Sequence, residues 1–344
     1  MICWIVAVLA VVFGGVRGLR DEDGYARERT VAVNGFFALF ILLSHGRMFM
    51  NALGYSWFDE FGSRWAMYFL MAIGQLCVVP FLFFSGYGIV KQIKKKGKDY
   101  VDGLPRRRVW PFYVNSLPVA IMWVACGCFM PTTVYPQDAL CQLVFWRGID
   151  FGPCWYNFCI IVLYMSAFVA FKIAKGAGAE CIVWLLSMAY VLGMSWIRPD
   201  EPWWFSTALA FPMGVSFSLH RERWSALMDK FFWLMLGLSV ALVVGYKLLP
   251  RHDLLHNVYG MCFMVMLLTL MQKARLDNPV LNWVGARVFP IYMYHLLFYR
   301  LWSFCFDGKI SVWWQAHLVL AASFACTGLV AWAYPRFSYK VQTK

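Results

Sequence analysis

WAMYFLMAIGQLCVVPFLFFSGYGIV, residues Trp65 to Val90, decides the fold class. The run holds no Asp, Glu, Lys or Arg and is apolar on every face. As a helix it is long enough to cross ~30 Å of hydrocarbon, whereas a barrel strand would be roughly ten residues of alternating polarity. Similar runs occur at 2–16, 31–52, 109–130, 153–171, 181–197, 203–219, 231–249, 255–271, 279–304 and 312–334. The pattern predicts an all-α polytopic integral membrane protein with about eleven transmembrane helices, in which a ten-helix core at 31–334 follows an extra span and cytoplasmic loop in 1–30. One membrane domain is expected over 1–344. A chain that is 61% hydrophobic, 14% charged and +0.59 in mean hydropathy excludes a soluble enzyme or a one-span anchor. The run at 2–16 has no basic residue before it and no small-residue cleavage site after it, so it is read as a retained span and not a signal peptide.

The connector Lys91 to Arg108, KQIKKKGKDYVDGLPRRR, marks the cytoplasmic side by its excess of Lys and Arg. Counting spans from it puts 22 of the 31 Lys/Arg on that side, with the N-terminus outside and the C-terminus cytoplasmic. The net charge of +13 therefore reflects topology and anionic lipid or ligand, and no nucleic-acid partner is expected. Most of the eleven cysteines lie in apolar runs as small hydrophobes; only Cys126, Cys128, Cys141 and Cys154 flank a loop where pairing is conceivable. No internal repeat of the kind found in transporters with symmetric halves is visible.

Polar groups are costly in hydrocarbon, which makes the few at depth functional candidates: Asn34, His45 and Arg47 in the second span, Gln75 in the third, Arg287 and His295 in the tenth. Asn34 and His45, eleven residues apart, share one helix stripe about 16 Å apart along the axis. His45 and His295 fall at similar depth in the outer half, facing one cavity, with Arg287 nearer its centre. A neutral histidine suits removal of a proton from a hydroxyl that attacks a carbonyl, although a bond between helices explains a buried histidine equally simply. No carboxylate lies in these spans, so an orienting partner must be an amide, a hydroxyl or a loop carboxylate such as Asp59 or Glu60. Two histidines without a carboxylate or thiolate at ligand spacing predict no metal.

These residues sit in local words: FFALFILLSHG (Phe36 to Gly46), PFLFFSGYGI (Pro80 to Ile89), RRRVWPFY (Arg106 to Tyr113), CWYNFCIIVLY (Cys154 to Tyr164) and NWVGARVFPIYMYH (Asn282 to His295). In order and position they resemble the acyltransferase type 3 family, membrane enzymes that transfer an acyl group, often acetyl from acetyl-CoA, to hydroxyls of cell-surface polysaccharide, peptidoglycan or lipid-linked sugar. The resemblance implies an essential His45; in the mechanism this suggests, Asn34, His295 or Arg287 stabilises the developing oxyanion or orients the ring. It implies donor contacts at Ser85, Gly86, Tyr87 and Arg106, Arg107 and Arg108, and an acceptor rim at Trp155 and Tyr156. The sequence departs from the family where Asn34 stands in place of a common Arg, and Ile160 where many members have a carboxylate. Acetyl-CoA or another acyl-CoA is the expected co-substrate. Partners are membrane lipids and a glycan or lipid-linked sugar acceptor, with a homo-oligomer left open, and the family implies a multi-pass protein of a bacterial inner membrane. The rival from another class is a glycan or lipid-linked sugar transporter or flippase without acyl transfer; an inactive scaffold is the third.

Overall fold

The computed structural model describes residues 1–18, 27–60, 63–129, 134–150, 152–249 and 252–340, with the side chains of residues 27, 28 and 59 also outside the description. It is an all-α membrane protein whose only strands among the described residues, β1 (Val16–Gly18) and β2 (Ala274–Leu276), form one short antiparallel ladder. Seven of the eleven expected spans appear as helical segments long and apolar enough to cross a membrane: Arg29–Ala52, Gln75–Lys96, Pro105–Gly127, Trp155–Ile173, Gly176–Ile197, Leu255–Lys273 and Trp313–Phe337. The other four, which the count of eleven treated as uninterrupted, are built from shorter pieces. The first is α1 (Ile2–Phe13), followed by α2 (Arg27–Ala52).

Proline sets most of the interruptions. Within the stretch that opened the reading, α3 (Ser63–Ile73) stops before Gly74, a 3₁₀ turn spans Gln75–Val78, and α4 (Val79–Lys96) begins with Pro80 in its first turn. Pro80 has no N–H to offer the Leu76 carbonyl, which accepts from the Val79 N–H instead, tightening the turn. Beyond α5 (Lys98–Asp102), α6 (Trp110–Gly127), α7 (Pro136–Leu143), α8 (Trp155–Ile173) and α9 (Gly176–Ile197), the same device recurs. Pro212 leaves the Ala208 carbonyl to the Phe211 N–H, so the expected span 203–219 is helical only as α10 (Ala210–Leu219). Buried Asn257 fastens the non-helical approach, accepting from Leu209 N at 3.1 Å and donating to Phe205 O at 3.0 Å.

The expected span 231–249 is α12 (Phe232–Tyr246), preceded by α11 (Arg221–Lys230) at a bend of 94°; counting that pair as one gives eight spans among the described residues. After α13 (Leu255–Lys273), the expected span 279–304 divides into α14 (Pro279–Gly285) and α15 (Val288–Ser303), one turn before Pro290, and α16 (Trp313–Phe337) follows. All eleven cysteines are free thiols, so the loop cysteines do not pair.

Two crossings bring these pieces against long helices with backbone touching backbone. A Cβ on Gly35 of α2 would lie 2.0 Å from Leu281 O, and one on Gly285 of α14 would lie 1.8 Å from Val31 O. The second crossing repeats this reciprocity, with Gly86 of α4 2.2 Å from Phe211 O and Gly214 of α10 2.0 Å from Phe83 O. In lipid, where burial of apolar surface does little to join helices, such close approach is a main source of adhesion. The first crossing sets the angle at which α15 leaves α14 and returns along α2.

Candidate active site

On α15, Ile291, His295 and Tyr299 recur every four residues and so form one stripe, which faces α2. The Tyr299 hydroxyl donates to Leu42 O at 2.8 Å, and Gly46 gives its ring room, since a Cβ there would meet Tyr299 Oη at 3.3 Å and Leu320 at 2.7 Å. That clamp sets the two histidines against one another. His45 Nδ1 lies 2.7 Å from His295 Nε2, and the rings are 8° from parallel with centroids 5.0 Å apart, an edge-to-edge, nearly coplanar arrangement.

The proton positions follow from the partners. His295 Nδ1 lies 3.0 Å from Ile291 O. A carbonyl only accepts, so Nδ1 of His295 carries the hydrogen and its Nε2, in a neutral ring, carries a lone pair. His45 Nδ1–H then donates to that lone pair, which leaves His45 Nε2 as a bare base. His295 is fully buried and His45 half-buried, as expected of a held ring beside a working one.

Next to the pair, the Tyr292 ring lies 6.4 Å from His45 and 5.0 Å from Tyr156. These two tyrosines form the inner end of a cavity of about 600 Å³ that runs between α2, α4, α8 and α15 to a basic mouth at Lys91 and Arg108. Arg108 Nε donates to Tyr100 Oη at 2.9 Å, which holds the guanidinium at the entrance. The cavity thus has an aromatic lining at Tyr156 and Tyr292, the second of which packs between it and the histidine pair, and a cationic one at Lys91 and Arg108; neither histidine lines it.

The family model of the acyltransferase domain, acyltransferase type 3, matches residues 32–333. The chain belongs to that family. No curated protein and no solved structure matches it. The matched stretch of this acyltransferase includes both histidines and all of the cavity lining except Thr30 and Val31.

Of the residues singled out in the sequence, the fold gathers Asn34, Ser85, Tyr87, Arg108 and Tyr156 around this one cavity. Asn34 is on the wall, with its Oδ1 buried and unpartnered; Ser85 accepts from the Tyr164 hydroxyl at 3.4 Å. Tyr156, in the first turn of α8, lines the cavity, and Trp155 packs edge-on against it at 5.8 Å. Gly86 faces the α10 backbone and not the cavity. Arg106 and Arg107 are exposed, and Arg107 donates to Asp99 O. Arg287 marks the break between α14 and α15, where it donates to Trp283 O and lies 4.6 Å from the Trp283 ring, two turns from the histidines.

Glu60 is engaged away from the pair, by the Met1 ammonium at 2.7 Å, Tyr55 Oη at 2.6 Å and His317 at 3.2 Å; the Asp59 side chain lies outside the described residues. Among the described residues no group of three or more His, Cys, Asp or Glu is arranged to hold a metal. Sequence reasoning passed over Tyr292 as more than part of a word and Lys91 as part of a charge run. Their spacing along α15 and α4 toward neighbouring candidates was the available signal.

Proposed function

We propose that this chain is a membrane-bound O-acyltransferase that transfers acetyl from cytosolic acetyl-CoA to a hydroxyl of a polysaccharide or lipid-linked sugar on the other side of the membrane. The Lys/Arg asymmetry supports the orientation, with the basic mouth cytoplasmic and the C-terminus inside. The multi-pass chain would then sit in a bacterial inner membrane. The single observation that carries the chemistry is the hydrogen-bonded chain Ile291 O, His295, His45, ending in a free imidazole nitrogen, with the cavity-lining Tyr292 ring 6.4 Å from His45 joining this pair to the cation-mouthed cavity.

In this mechanism His45 Nε2 takes the proton of the acceptor hydroxyl as its oxygen attacks the thioester carbonyl. The resulting imidazolium shares its charge with His295 through the Nδ1–H···Nε2 bond, whose geometry already exists before the proton arrives. Collapse of the tetrahedral intermediate breaks the carbon–sulfur bond, and the departing thiolate takes the proton back from His45. The products are an ester and the free thiol of CoA. His295 does the work a carboxylate does elsewhere in the family, which accounts for an intact site with Ile160 at the family's acidic position.

The test is ester-linked acetyl on surface glycans of cells expressing the wild type, His45→Ala or neither, at matched membrane levels. Acetyl found only with the wild type is the expected result, and its attachment point identifies the acceptor. Normal acetylation by His45→Ala overturns the proposal.

A further inference from the structure

A second cavity, of about 670 Å³, opens beside the first between the end of α4 and the turn from α10 into α11. Four cations line it, Lys91, Lys94, Arg221 and Arg223, against one carboxylate, Glu222. Lys94 Nζ donates to Ser218 O at 2.6 Å and to Leu219 O at 3.3 Å, so its charge is fixed in the wall where α10 ends. Tyr87 and Lys91 line both cavities, so the two are neighbours across one turn of α4. The sharp bend between α11 and α12 keeps α11 across the mouth of the bundle, where its first turn presents Arg221 and Arg223 to this space.

We infer that this second cavity is a phosphate site, and that it holds the phosphorylated nucleotide end of the acyl donor while the acyl-bearing arm passes Tyr87 into the first cavity. The assignment rests on the acyltransferase reading above. A ligand with a 3′-phosphate and a 5′-diphosphate needs several cations at one place, and guanidinium groups match phosphate oxygens two at a time. Arg108 and Lys91 alone at the mouth of the first cavity do not meet that need, and neither Arg106 nor Arg107 lines either cavity. Lys91 stands at the junction, so it contacts the diphosphate in this arrangement, with Arg221 and Arg223 farther out. An anionic lipid head group offers the same phosphate chemistry from the bilayer.

The protein is purified in neutral phosphatidylcholine nanodiscs, and binding of adenosine 3′,5′-bisphosphate is measured for the wild type, Arg223→Gln and Arg223→Lys. Arg223→Gln is expected to weaken binding about 10- to 100-fold, as loss of a charge-assisted hydrogen bond does, and Arg223→Lys to restore part of it. The same factor is expected in the ratio of kcat/KM for acetyl-CoA to that for acetyl-pantetheine, which lacks the nucleotide. An unchanged ratio with unchanged bisphosphate binding overturns the assignment. So does an Arg223→Gln effect seen only when phosphatidylglycerol is added, which assigns the site to lipid. If the wild type turns over neither donor yet binds the bisphosphate in an Arg223-dependent way, the acyltransferase reading falls and the phosphate site stands.

Discussion

The two ends of the first cavity are built on opposite principles. At the inner end a few groups are held by short, directional contacts: His45 to His295, His295 to Ile291 O, Tyr299 to Leu42 O. At the mouth, long flexible cations collect around an opening, and the neighbouring basic cavity adds more of them. In a dry site each polar group depends on one partner, so removing the partner costs the full desolvation of what remains. At a wet mouth charges overlap in function and are screened, so each removal costs less than at the dry end. On the proposed function, specificity of chemistry belongs to the first end and capture of the donor to the second.

The strongest challenge to this contrast is at His295. Replacing it by Phe fills the space but removes the acceptor for His45 Nδ1–H, and should lower kcat roughly 10²- to 10⁴-fold in acetyl-transfer assays. His295→Gln, whose amide oxygen can still accept, should recover part of the loss and shift the pH profile of kcat. A merely structural histidine would show neither. Next in size is the support beneath the pair. Gly285→Ala places a methyl 1.8 Å from Val31 O and should destabilise the protein by about 1–3 kcal/mol, seen as a lower Tm in detergent. Gly328→Ala in α16, with no neighbour within 4 Å, should be neutral or slightly stabilising.

At the mouth, Arg108→Gln should raise KM for acetyl-CoA about 10-fold and alter kcat far less. A collapse of kcat would remove the distinction between the two ends. The smallest effect is expected at Glu60. Its burial raises the carboxyl pKa, but the hydrogen bonds from the Met1 ammonium and Tyr55 outweigh burial and hold it below the usual carboxylate value. A depressed folded-state pKa means that this stability is fully present above the ordinary carboxylate pKa and is lost as pH falls through the depressed value. Thermal melts of the wild type should therefore lose stability with acid over that window, and Glu60→Gln should flatten the dependence.

Much of this was legible in the residues. The apolar runs gave the class, the five local words gave the family, and depth along each run brought His45 and His295 to one level. What the runs concealed was their interruption. Hydropathy averages over Pro80, Pro212 and Pro290, each of which withholds one N–H and so interrupts a helix while leaving the stretch apolar. That is why 203–219 and 279–304 read as spans longer than their helices. Tyr156 was read as a rim residue because it opens a span; that it also lines the cavity depends on Tyr292 of α15, whose ring packs 5.0 Å from it, a contact that no single run reveals. The second basic cavity needs α4 beside the α10–α11 turn, a pairing that no local pattern announces. Gly86 and Gly214 are its only trace in the sequence, and small residues in apolar helices are common.

His45 and His295 are separated by 250 residues of chain. During synthesis at about 5–20 residues per second, the helix bearing His45 enters the bilayer roughly 12 to 50 s before the helix that completes its hydrogen bond exists. Throughout that interval a ribosome-bound chain carries an imidazole in the membrane with no partner. The histidine pair can form only once the helix that bears His295 has been made, so the order of translation itself delays assembly of the site.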